Sequence, residues 1–362
     1  MKIAILCPGY NVVSRGVERT ITELINRLGK EYSFDIYSRA KSEQISKNAK
    51  IIHVAAVSRD SIYARAYASF GHRLRFYLRT PIDAECLTFS ASLLPKIIFN
   101  KYDVIFNQAG PFAGKVCRSL RRIYGTPFIH KAAAGYGRLE EIMAHQYPDV
   151  FIATSPVGEQ WIKEKVPNLN SVVIPNGVDT ELFAPETGKA KIDLKPPIIL
   201  FVGAIVHMKR PELLLEAMEN IKNASLLMIG DGILKEEIEK AGLKNLGPKR
   251  FKLMPSVPHK DLPKYYNACD VFTLPSDEPF GIAFLEAMAC DKPVVARKKP
   301  TQEWLIEEAG LTCDCENSVE YAETISKILQ NSNGFQPRQR AKKFEWNEVA
   351  TKYDKIFRSF LN

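Results

Sequence analysis

The stretch SDEPFGIAFLEAMAC, residues 276–290, holds two carboxylates eight positions apart in very different company. Glu278 precedes a Pro and a Gly and reads as a loop residue. Glu286 stands among Phe284, Leu285, Ala287, Met288 and Ala289, in a helical pattern with almost no polar side. A carboxylate there is costly unless donors satisfy it, and a ligand with hydroxyl groups, such as a ribose, would supply them. Gly281 opens the helix, where free backbone N–H groups suit a phosphate. Upstream, Lys209 and Arg210 stand at the start of another helical stretch, where cations oppose the helix dipole. They read either as solvated surface charge or as partners of an anion, for which a diphosphate would account. Carboxylates for hydroxyls and a helix start for phosphate are together what a nucleotide-sugar requires.

Other motifs say less. Gly230-Asp231-Gly232 follows a strand pattern and allows close approach, but it lacks the third glycine of a dinucleotide fingerprint, which argues against a dehydrogenase. Seven cysteines, an odd number scattered along the chain, read as buried thiols in a reducing, cytosolic setting. Cys313-Asp314-Cys315 has no second pair at zinc-finger spacing, and no Asp-x-Asp pair stands at a plausible metal site.

The elements that must position these groups alternate between strand and helix. Apolar runs at 2–7, 34–37, 51–54, 104–107, 127–130, 150–153 and 172–174 are separated by helical patterns, 17–28 the first of them. The alternation restarts at 198–203 and continues through 225–229, 251–253, 271–274 and 293–296. This predicts an α/β protein with two doubly wound, Rossmann-like parallel sheets, since 362 residues exceed one ordinary core. The Pro175-Asn176-Gly177 turn divides residues 1–175 from residues 176–345, and 185–197 reads as a polar linker. Open parallel sheets take ligands beyond the carboxyl ends of their strands, so the expected site is a cleft between the two domains.

A composition of 46% apolar and 25% charged residues is that of a soluble globular protein. No apolar run approaches the length of a spanning helix, and Met1 leads straight into a strand pattern, so no leader segment is expected. The formal net charge of +9 gathers in residues 1–175, which carry 24 Lys and Arg against 14 Asp and Glu. That half is expected to meet something anionic.

The stretches VVIPNGVDTELFAP (172–185), FVGAIVHMKRPELLLEAM, MIGDGILKEEIEKAG and YYNACDVFTLPSDEPFGIAFLEAMACDKPVVA together resemble the retaining family 4 glycosyltransferases of GT-B fold. The resemblance runs almost continuously over 172–330 and is looser in MKIAILCPGY and SRGVERTITEL (14–24). It implies two domains facing across a cleft, with the C-terminal one binding the nucleotide-sugar and residues 346–362 packing back on the N-terminal one. It further implies that Glu286 holds the ribose and that Glu278 contacts the transferred sugar. Backbone groups around Phe280, Gly281 and Ile282 would meet the sugar and diphosphate. Lys209, downstream of the strand glycine Gly203, matches the phosphate-binding lysine, and the loop from Met254 to Val257 would lie by the base. Gly16 falls in the glycine loop that approaches the donor. His130 falls where the family places a histidine facing the reacting sugar; a buried structural histidine is the alternative.

The chain departs from the family pattern in several places. Ala204 stands where an arginine is usual, leaving Arg210 or Arg15 to supply a second phosphate cation. Arg15-Gly16 replaces a glycine pair, Asp291-Lys292 a glycine, and Arg297 to Thr301 another glycine pair. Lys131 follows His130 where glycine is frequent. Residues 58–80 mix Arg59, Arg65, Arg73, Arg75 and Arg79 with Tyr63, Tyr67, Phe70, Phe76 and Tyr77. They read as a basic helix resting on anionic lipid or as an amphipathic helix with its aromatics inward; no nucleic-acid motif accompanies them.

The expectation is therefore an enzyme: a glycosyltransferase moving a sugar from a UDP- or GDP-linked donor, as co-substrate, to an acceptor hydroxyl. The acceptor would be a glycan or lipid-linked, no metal or permanent cofactor is expected, and the setting would be cytoplasmic, at the inner membrane face. Two other readings are compatible with the same residues. One is a phosphorylase or epimerase on this fold; the other is a non-catalytic nucleotide-sugar-binding protein, suggested by Ala204 and the lost glycines.

Overall fold

The structure is a computed structural model that describes residues 1–13, 16–64, 66, 80–133 and 135–361. Most of the basic-aromatic segment 58–80 lies outside the described residues, as does Arg15.

The chain forms two units. The first takes Met1–Asn176 and Val349–Asn362, and the second takes Gly177–Glu348. Unit 1 is built from β1 (Lys2–Leu6), α1 (Gly16–Leu28), β2 (Ser33–Ser38), β3 (Glu43–Ser46), β4 (Ala49–His53), α2 (Pro81–Ile97), β5 (Val104–Asn107) and α3 (Gly110–Tyr124). It continues through β6 (Phe128–Lys131), α4 (Arg138–Ala144), β7 (Val150–Ala153), α5 (Pro156–Lys165) and β8 (Ser171–Val173). The sheet order is β3-β4-β2-β1-β5-β6-β7-β8. All neighbours are parallel except β3, which runs antiparallel to β4. The strands VIFN and VFIA are buried throughout, as expected where helices cover both faces. β3 is exposed along its length and polar, a blunted sheet edge. With Ile45 as its single apolar residue, it is hidden from a reading based on apolar runs.

Unit 2 contains β9 (Ile198–Val202), α6 (Pro211–Asn220), β10 (Ser225–Ile229), α7 (Lys235–Leu246), β11 (Phe251–Met254), α8 (Leu262–Asn267), β12 (Val271–Leu274) and α9 (Ile282–Ala289). β13 (Val294–Arg297), α10 (Pro300–Ile306), β14 (Gly310–Cys313), α11 (Ser318–Gln330) and α12 (Pro337–Lys342) complete it. Its six strands are all parallel, in the order β11-β10-β9-β12-β13-β14. Gly230 and Gly232 lie against the backbone carbonyls of Gly203 and Ile205, where any Cβ would collide. The glycines after β10 thus serve backbone packing behind the loop that leaves β9.

The last helix, α13 (Trp346–Arg358), begins in unit 2 and passes into unit 1 at Val349. Within unit 1, Tyr353 stacks edge-on against Phe106 and Phe357 against Tyr32, with centroids 5.9 and 5.4 Å apart. Tyr32 Oη donates to Asp354 at 2.5 Å. All seven cysteines are buried and unpaired. No helix among the described residues is long and apolar enough to cross a membrane.

Candidate active site

In unit 2 the strand order reverses between β9 and β12, which are neighbours although far apart in sequence. Crevices at the carboxyl ends of such strands are where open α/β sheets bind ligands. Lys209 lies on the loop leaving β9, in a 3₁₀ turn at His207–Lys209, and Glu278 lies on the loop leaving β12. The two side chains meet in an ion pair at this switch point, with Lys209 buried and Glu278 partly exposed. The loops are stitched together by backbone as well: Asp277 N donates to Met208 O at 3.0 Å. Ser276 Oγ accepts from Glu278 N at 2.9 Å, and Gln302 Nε2 donates to the Glu278 carbonyl at 2.8 Å. Gly203, where β9 gives way to this loop, lies beside the Lys209 stem.

Gly281 caps α9 with φ 84°, a left-handed conformation that suits glycine, and a Cβ there would press on Phe284. Ile282 is the first residue of α9, and Phe280 is buried against Trp304. One turn further on, Glu286 is 5% exposed. Protein groups reach it from two sides. Tyr266 Oη donates to Oε2 at 3.1 Å, and His259 Nε2 meets Oε1 at 2.8 Å. His259 is one-third exposed at its side chain and packs on Phe183 at 4.9 Å between centroids. It follows the loop of Met254 and Val257, both half-buried, so Glu286 is tied to the segment expected near a base.

Arg210 does not join Lys209. It adopts φ 51° at the start of α6 and pairs with Glu212 at 3.1 Å, Glu316 at 3.3 Å and Asp277 at 3.6 Å. Arg297 reaches the same two acids, Asp277 at 2.8 Å and Glu316 at 2.6 Å, and Lys299 reaches Asp277 at 2.7 Å. Partial burial would raise the Asp277 carboxyl, but Lys299, Arg297 and Arg210 outweigh it and hold it below its ordinary value. Arg210 is thus held among complementary acids. Asp291, where the family has glycine, has φ 58°. Asp is one of the few residues that tolerates this left-handed position, which accounts for both the usual glycine and its replacement.

In unit 1, Gly16 is the first residue of α1. His130 ends up 4% exposed on β6, with both ring nitrogens engaged. Nδ1 donates to the Asn107 carbonyl at 3.2 Å, and Nε2 meets Glu140 Oε2 at 3.1 Å. Glu140 is itself held by Ala133 N at 2.9 Å. His130 is therefore a buried histidine bonded at both ring nitrogens. Lys131 beside it is also buried, donating to Asn176 Oδ1 at 2.7 Å, and burial lowers its ammonium to about 8 against the pull of Glu140. Sequence reasoning passed over His259, Tyr266, Gln302 and Glu140. No motif marks them, because each acts on a partner ten or more positions away.

Residues 14–182 match the family described as Glycosyltransferase Family 4, and residues 184–345 match Glycosyl transferases group 1. The chain is 27% identical over 217 residues to an uncharacterized glycosyltransferase of Methanocaldococcus jannaschii, covering 58% of this chain and 59% of that one. It is 36% identical over 141 residues to a D-inositol 3-phosphate glycosyltransferase of Segniliparus rotundus, covering 35% and 31%. The matched stretches span about half, or less, of such relatives' length. Among solved structures, a sucrose-phosphate synthase from Thermosynechococcus elongatus superposes with TM-score 0.80 at 21% identity, covering 99% of each chain. Anabaena HepE, solved in complex with UDP and glucose, superposes with TM-score 0.72 at 17% identity, covering 99% of this chain and 100% of its own.

Proposed function

The chain belongs to the family 4 glycosyltransferases and has their GT-B fold, and on that premise we propose that it moves a sugar from a nucleoside-diphosphate donor to an acceptor hydroxyl with retention of configuration. The acceptor oxygen bonds to the anomeric carbon as the bond to the diphosphate breaks on the same face. The diphosphate leaves with the bonding electrons, and the hydroxyl proton passes to a leaving phosphate oxygen. Lys209 and the N–H groups at the start of α9 stabilise the charge that develops there, a preorganised electrostatic contribution. Glu278 orients the sugar through its hydroxyls, and Glu286 orients the ribose.

The observation that carries this reading is the Lys209–Glu278 pair at the strand-order reversal of unit 2, with Glu286 on the helix that follows the Glu278 loop. An anion in place of the carboxylate and a sugar in place of the ammonium would satisfy both partners. HepE, with UDP and glucose in its crystals, supports a donor of this type. The product is a polysaccharide, glycolipid or other glycoconjugate.

The test is a panel of UDP-, GDP- and ADP-sugars with glycan and lipid-linked acceptors, with the product's anomeric configuration read by NMR. Transfer with retention is expected, falling about 100-fold or more in kcat for Lys209→Ala and Glu278→Ala. Transfer that both variants leave untouched would place the site elsewhere.

A further inference from the structure

Three turns of unit 1 carry side chains that the proposed reaction does not use. Residues 98–103, 125–127 and 145–149 lead into β5, β6 and β7, which are successive neighbours in the sheet. The turns therefore lie side by side, linked by Ile105 N to Pro127 O at 3.0 Å and Asp149 N to Phe128 O at 2.9 Å. On this edge Phe99 is 87% exposed, Ile123 63%, Tyr124 57% and Tyr147 48%. Single exposed apolar residues are ordinary, but a row of them along one sheet edge marks a surface that meets something.

The charge around that row is predominantly positive. Residues 94–101 and 115–124 contain six Lys and Arg and no Asp or Glu. Helix α3 turns Ala113, Gly114, Cys117 and Leu120 into the core, which leaves Arg118 and Arg122 on its outer face. Among the described residues, no carboxylate stands within ion-pair distance of Lys101, Arg118 or Arg122. The acids at this edge are engaged: Asp149 pairs with Arg121 at 2.9 Å, and Asp103 accepts the Lys2 N–H at 2.6 Å.

We propose that this amino edge of the unit 1 sheet docks on an anionic lipid surface. Phe99, Ile123 and Tyr124 would enter the headgroup layer while Lys101, Arg118 and Arg122 meet lipid phosphates. The occupant is chosen by charge complementarity together with apolar insertion. Single-stranded nucleic acid also pairs cations with aromatics, but aliphatic Ile123 offers it no stacking face. The surface lies at the opposite end of the strands from their carboxyl ends, where such sheets take ligands. It therefore localises the protein without forming part of the acceptor site.

The full-length chain, without any sugar donor, is sedimented with vesicles of phosphatidylcholine alone and of phosphatidylcholine containing one-third phosphatidylglycerol. Binding is expected only to the anionic vesicles, weakening with added salt. Substituting both Arg118→Gln and Arg122→Gln is expected to lower the partition coefficient about 25-fold. Phe99→Ser lowers it as well, and melting temperatures stay unchanged because all three sites are exposed. The proposal is overturned by equal binding to neutral vesicles, by no binding, or by variants that bind like the parent, which would move the contact to another surface. Preference for single-stranded RNA over anionic vesicles would overturn it too. Because no donor is present, the outcome is independent of the reaction proposed above.

Discussion

Lys131 carries the charge most at odds with its surroundings. Burial brings its ammonium down to about 8 from an ordinary 10.5, with Glu140 opposing. A lysine depressed in this way binds fewer protons folded than unfolded between those values, so the stability it allows rises with pH across that window. Below about pH 8 the cost is present in full, up to about 3 kcal/mol, and above about 10.5 it is gone. Lys131→Met is therefore expected to melt higher than the parent near neutral pH. The gain is reduced by the lost bond to Asn176, and it should shrink steadily as the pH approaches 10.5. A difference in melting temperature that stays constant with pH would show that the charge is not what the site resists.

At the scale of elements, the loop between α9 and β13 tests whether backbone conformation explains a departure from the family. Asp291 has φ 58° and its Oδ1 accepts from Arg338 N at 3.3 Å. Asp291→Gly is expected to leave stability within about 1 kcal/mol, since glycine adopts this conformation freely. Asp291→Val should cost more than about 1 kcal/mol, because a β-branched residue is strained there. Equal denaturation midpoints for the two variants would contradict the argument. The strands around such loops were legible in the sequence wherever both faces are covered. VIFN, VFIA and VFTL are buried throughout and stand where the sequence pattern predicts. β3 and β14 were not, the one being polar and exposed and the other opening with a glycine packed on Val294. Of the candidate site's two carboxylates, Glu286 stood out because a charge inside an apolar helix is conspicuous. Its partners did not: His259 and Tyr266 lie 27 and 20 positions before Glu286, and only the fold of β11 through α9 brings them to it. The same holds for His130, whose burial between Asn107 and Glu140 depends on the pairing of β5 with β6.

At the scale of the molecule, the chain leaves unit 1 at Asn176 and returns at Val349, so the last helix closes the first sheet's core. Phe357, 1% exposed between Tyr32, Phe106 and Tyr353, anchors that return. Phe357→Ala is expected to cost about 3–5 kcal/mol and to lower the melting of unit 1, while ligand binding by unit 2 persists below that transition. Loss of both together would mean that the units do not hold their structure separately. The central claim concerns unit 2, where the candidate donor site is assembled from loops after β9, β11 and β12. It is tested most directly by calorimetric titration of the full chain with UDP, GDP and ADP, repeated on Glu286→Gln. One nucleotide is expected to bind best, and Glu286→Gln to weaken it about 10- to 100-fold, as for loss of hydrogen bonds to a charged group. Binding of none of the three, or equal binding by Glu286→Gln, would contradict the account.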